Sequence, residues 1–235
     1  MTLSNESTTI EAVAPWWHTA LLVVLIGLFS VQSAMNHGLP GFQLPGLNPR
    51  LSKYICVIVF EWIAILLIWL AMKQRGISMR SLIGGRWATA GSFFKDLGQG
   101  VAFTLLGIVV IGAISRVIGG NTGTIIAGIL PKTVVELVGF LALSMTGGFC
   151  EEFIFRGYLM RQFGAWTGSW VVAVILQGVA FGLAHGYYGV SMIAVATYGC
   201  LLGLLAHWRK SLRPGMIAHA LQDTLGGVLG YLTVK

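Results

Sequence analysis

Seven stretches of mainly apolar residues recur along this chain, at 16–35, 51–72, 97–118, 133–163, 170–185, 190–208 and 214–233. A helix needs about 20 such residues to cross the hydrocarbon of a bilayer. Backbone in lipid must satisfy its own hydrogen bonds, and a helix does so within one segment. The pattern therefore predicts an all-α fold, a polytopic transmembrane helix bundle of about seven spans. The fourth stretch is too long for one simple crossing, and the fifth is short. Charge content agrees. Only 10% of the 235 residues are charged, against about 25% in soluble domains, too few to cover a water-exposed surface.

The net charge of +7 does not point to nucleic acid, because the basic residues form no stripe interleaved with aromatics. They lie in short loops. Lys73, Arg75, Arg80, Arg86 and Lys95 fall between the second and third stretches, Arg161 near the end of the fourth, and Arg209, Lys210 and Arg213 before the last. Such loops face the cytoplasm, so the expected N-terminus is cytoplasmic and the expected C-terminus outside. Residues 1–15 hold no Lys or Arg. A cleaved signal peptide needs a basic start, so the first stretch is expected to be a retained span. Pro40, Pro45 and Pro49 mark 36–50 as an irregular outer turn. Cys56, Cys150 and Cys200 lie in apolar surroundings without CxxC spacing and imply no disulfide framework.

Charges inside apolar stretches are expensive, about 2.5–3.5 kcal/mol at a span centre, so each is informative. Glu151-Glu152-Phe153-Ile154-Phe155-Arg156 places three in one run. Glu152 and Arg156 are i, i+4 with the acid first, the favoured order for a helical ion pair. Glu151 points about 100° away on a helix. The pair neutralises one carboxylate and leaves the other free to act as a base. Phe181 and His185 are one turn apart in the fifth stretch, and His219 and Asp223 one turn apart in the last. An imidazole beside a carboxylate has its tautomer or its charge fixed.

In order, these elements read Glu-Glu-x-x-x-Arg, Phe-x-x-x-His and His-x-x-x-Asp. Together they resemble the CPBP family of CAAX-processing and bacteriocin-processing intramembrane endopeptidases, the CAAX prenyl protease type II or Abi-like proteins. The resemblance covers about 145–230 and is carried by Glu151 to Leu159 and by Ile217 to Asp223. It implies a helical membrane core with a polar cavity in which a peptide bond is cut. Position by position, it implies that Glu151 activates water, His185 assists, Glu152 and Arg156 hold the geometry, and His219 with Asp223 stabilises the oxyanion. The family often has Asn where this chain has Asp223. An ionised Asp cannot donate a hydrogen bond, so Asp223 is expected to hold His219 as a donating imidazolium. The expected organisation is N-terminal transmembrane helices over 1–130 and a catalytic core over 131–235, integrated in one membrane domain. The expected partners are a peptide or protein substrate, in the family sometimes lipidated, and membrane lipid. The expected location is a bacterial inner membrane.

Two chemistries stay open. Either Glu151 and His185 activate water without a metal, or Glu151, His185 and His219 form the carboxylate-plus-two-histidine set that holds catalytic zinc. No His-Glu-x-x-His motif occurs. Two other classes compete with a protease. One is a non-catalytic scaffold or immunity protein. The other is a proton-coupled transporter, for which Glu61 and Glu136 in apolar runs would serve. His18, His37 and His207 read as interfacial. At 1.5 Å per residue, Glu151, His185 and His219 fall at different depths. They meet only if helices are tilted, broken or re-entrant, with Gly147, Gly148, Pro214 and Gly215 as the candidate breaks.

Overall fold

The computed structural model describes residues 11–36, 43–119 and 128–233, and its described residues form helices without strands. In chain order these are α1 (Trp16–Met35), α2 (Pro49–Gln74), α3 (Met79–Ile83), α4 (Ala90–Ile118) and α5 (Val134–Glu151). A π-helical segment, Glu152–Leu159, follows without interruption, then α6 (Met160–Thr167) and α7 (Trp170–Ala184). A 3-10 segment, Gly186–Ser191, leads into α8 (Met192–Arg209) and α9 (Arg213–Thr233). His37 lies outside the described residues.

Local chemistry sets the helix starts. Thr89 and Thr133 each head a capping box, with Ser92 and Glu136 closing it, so two otherwise orphaned backbone donors are satisfied reciprocally at each start. Ser78 and Ser169 cap α3 and α7. The box at Thr133 accounts for Glu136, which is buried and accepts from the Lys132 and Thr133 amides at 2.6 and 3.3 Å.

The exterior suits lipid. Leu28, Leu66, Leu105, Val109, Val138, Val171 and Leu229 are all exposed, far more large apolar surface than water-soluble monomers present. Five continuous helical stretches are long and apolar enough to cross a membrane, at Trp16–Met35, Pro49–Gln74, Ala90–Ile118, Val134–Thr167 and Gly186–Arg209. The two remaining stretches of the seven have physical reasons to differ. Trp170–Ala184 has only 15 residues, and α9 carries His219, Gln222 and Asp223 within its 21.

All eight residues of the π segment are buried, so the bundle is arranged around it. α2 and α9 pack along α5, α4 packs along α9, and α7 and α8 form a hairpin beside it. The helix breaks are not where the glycines suggested. α5 runs straight through Gly147 and Gly148, while Pro214 and Gly215 lie in the first turn of α9. Convergence comes instead from two features. Counted from the neighbouring ends at Thr167 and Trp170, Glu151 and His185 both lie about 22–24 Å along their helices, so the short α7 stops level with Glu151. The first turn of α9 is itself buried, which places His219 level with Glu152.

Candidate active site

The seam between α5 and α9 is a very close helix contact. A Cβ on Gly148 would sit 2.8 Å from the Ala220 amide nitrogen and 2.7 Å from its Cβ, and one on Gly215 would sit 2.9 Å from Glu152 Oε2. Small residues let helices approach this closely in a membrane. Only this closeness lets acids from one helix reach a histidine on the other.

Within the seam, Arg156 Nη1 lies 2.9 Å from Glu152 Oε1, both side chains fully buried. The contact falls off the N–H direction, so it is an ion pair without a well-formed hydrogen bond. Arg156 Nη2 donates to the Gly199 carbonyl at 3.2 Å. The guanidinium carbon stands 4.1 Å from the centre of the Phe181 ring, a favourable placement for a cation in a dry site. Glu152 Oε1 also accepts from His219 Nδ1 at 3.0 Å. Phe181 packs edge-on against His219, with ring centres 5.7 Å apart. Glu152, Arg156 and Phe181 thus fix the orientation of His219 from behind.

In front of this group the two imidazoles meet Glu151. His185 caps the C-terminus of α7, and its Nδ1 donates to the Phe181 carbonyl at 2.9 Å. That bond puts the proton of the neutral ring on Nδ1 and turns the Nε2 lone pair to Glu151 Oε2, 3.7 Å away. His219 Nε2 is also 3.7 Å from Glu151 Oε2. This carboxylate oxygen is buried and has no hydrogen-bond partner of its own.

All six site residues named from the sequence are therefore brought together, with one difference in their pairing. Asp223 was expected to hold His219. Asp223 Oδ2 does pair with His219, 3.6 Å from Nε2, but the ring's hydrogen bond is donated by Nδ1 to Glu152. The tight seam puts Glu152 on the Nδ1 side of the ring, which leaves Asp223 on the open side, half-exposed beside Glu151. Among the described residues no group of three or more His, Cys, Asp or Glu side chains is arranged to hold a metal ion.

Glu151, His185, His219 and Asp223 line a cavity of about 310 Å³, whose walls include Phe140, Leu143, Tyr187, Tyr188 and Tyr198. Glu61 of α2 also lines it and is buried, a residue that the sequence offered to a transporter's proton path and not to this site. Its only signal was a lone acid in an apolar helix. Glu136 had the same signal and is a helix cap, though Thr133-x-x-Glu136 spells a capping box. His18, read as interfacial, is buried instead. Its Nδ1 lies 2.8 Å from the Tyr158 hydroxyl and its Nε2 donates to the Leu67 carbonyl at 3.0 Å.

Residues 132–225 match the family model of the type II CAAX prenyl endopeptidase Rce1-like proteins. Over that stretch, less than half of its 235 residues, the chain is similar to the Rce1-like family. The matched segment contains Glu151, Glu152, Arg156, His185, His219 and Asp223, while Glu61 lies outside it. No curated protein and no solved structure matches the chain. The Rce1-like family is a protease family, and the five apolar spans make this chain an integral membrane protein.

Proposed function

We propose that the chain is an intramembrane endopeptidase in which Glu151 and His185 activate a water molecule and His219 stabilises the oxyanion. The observation that carries this reading is the convergence of two imidazole Nε2 atoms on one unpartnered carboxylate oxygen, each at 3.7 Å, at the wall of a cavity. A water between Glu151 Oε2 and His185 Nε2 loses a proton to them as its oxygen bonds to the scissile carbonyl carbon. The carbonyl oxygen becomes an oxyanion and accepts a hydrogen bond from His219 Nε2–H, a donor that Glu152 and Arg156 hold in place. Collapse breaks the C–N bond, and the proton taken from water passes to the leaving amine.

The cavity admits a stretch of apolar peptide, in keeping with a substrate delivered from the bilayer, whether a lipid-modified CAAX-type protein or a leader peptide. The basic end of the molecule supports a cytoplasmic N-terminus. Arg75 bonds the Ala12 carbonyl, Arg161 bonds the Ser81 carbonyl, and Arg209 and Arg213 meet at Asp96, so the N-terminal segment and the positive loops share one side. The test compares membrane fractions holding the native chain with ones holding Glu151→Gln, by mass spectrometry of peptide termini. Termini that vanish in Glu151→Gln are expected. Identical sets of termini would remove the protease reading and leave a scaffold.

A further inference from the structure

Three acidic side chains surround the floor of the cavity. A Cβ on Gly147 would lie 3.8 Å from Glu61 Oε1, 3.9 Å from Asp223 Oδ2 and 3.9 Å from Glu151 Oε1. Gly147 has no side chain, so the space between these carboxylates is open to the cavity that all three line.

Among the described residues that line the cavity there is no Lys or Arg to balance them. Among the described residues Glu61 forms no ion pair, and Glu151 and Asp223 pair only with the two imidazoles. Arg156 is spent on Glu152, behind the cavity. The three carboxylates outnumber the two imidazoles that face them. Glu61 is only 5% exposed, and its Oε2 has no hydrogen-bond partner. A carboxylate that is buried and unpaired is costly, and a ligand that pairs with it recovers that cost. The aromatic rings of Tyr187 and Tyr188 form an adjacent wall, which also favours a cation.

We propose that this cavity is a subsite for a positively charged group of the substrate, a Lys or Arg side chain flanking the scissile bond, with Glu61 as its acceptor. The inference rests on the endopeptidase reading for the word substrate.

The experiment measures binding and does not require cleavage. Full-length protein in nanodiscs of zwitterionic phosphatidylcholine is titrated with short apolar peptides carrying a neutral dye and a central Lys, Gln or Glu. The Lys peptide is expected to bind about tenfold more tightly than the Gln peptide, and the Glu peptide most weakly. Glu61→Gln is expected to bring the Lys peptide to the affinity of the Gln peptide without changing the latter. In the unmutated protein, hexylammonium is expected to displace the Lys peptide and hexanoate is not, a readout that stands if the variant fails to fold. Equal affinity for Lys and Gln peptides, or a Lys preference that survives Glu61→Gln, overturns the proposal. A Lys preference with no peptide cut keeps the cation subsite and removes the protease. Cleavage without charge preference does the reverse.

Discussion

Two polar networks lie on opposite sides of the same π segment and are built to different standards. On one side the Tyr158 hydroxyl lies 2.8 Å from both His18 Nδ1 and Thr19 Oγ1, and Gln162 donates to Thr19 at 2.8 Å and binds the Val13 and Ala14 backbone. Every member is neutral by type or bonded twice. On the other side stand Glu151, Glu152, Arg156, His219 and Asp223, with oxygens of both glutamates and two guanidinium nitrogens lacking a hydrogen bond. The first network fastens α1 to the centre of the bundle. The second keeps unspent capacity next to a cavity. A satisfied buried network rigidifies and an unsatisfied one is destabilising, so the latch side stabilises a structure that tolerates the site side.

The largest effect expected from breaking this contrast is in activity. Glu151→Gln should lower peptide cleavage by about 10²–10⁴-fold, the usual range for losing a positioned base, with little change in thermal unfolding. A matching loss of stability would mean that Glu151 is structural. Arg156→Met should cost stability as well as activity, about 3–5 kcal/mol, because Glu152 is left buried without its cation. Chemical denaturation in detergent measures it.

Gly148→Ala tests the seam. The added methyl meets backbone of Ala220, so overpacking should cost about 1–3 kcal/mol and lower turnover by moving His219 away from Glu152. Unchanged kinetics would show that the seam has room to spare. Tyr158→Phe should cost only about 1–2 kcal/mol, since it removes one hydroxyl from the latch, and the folded fraction should turn over at the native rate. The smallest effect concerns metal. Exhaustive chelation should leave cleavage unchanged if water activation belongs to Glu151 and His185 alone. Loss of activity restored by zinc would transfer the chemistry to the zinc set.

Most of the helix plan was legible because lipid imposes a length and a polarity on every span. The boundaries 170–184 and 213–233 differ by a residue from those expected, while α4 begins seven residues before its apolar run, at a capping box that hydropathy ignores. The charged site residues were legible for the same reason, since Glu152, Arg156 and His219 stand out against apolar neighbours. What lay hidden depends on contacts distant in sequence. The partner of His18 is 140 residues away, and Glu61 belongs to the site only because α2 lies along α5. The π segment has no sequence signature either, since Glu152–Leu159 contains nothing that forbids an ordinary α-helix. Its form follows from being enclosed by neighbours on all sides.

That winding has a genetic corollary. A π turn holds one residue more than the α turn it replaces, with i to i+5 bonds in place of i to i+4. Removing one residue between Phe153 and Gly157 would let the helix rewind as plain α. Residues downstream would keep their facing, because the turn loses only its extra residue. Such a single-codon deletion should therefore leave Tyr158's side and Glu151's side coupled, whereas the same deletion within α5 would turn everything downstream by about 100°.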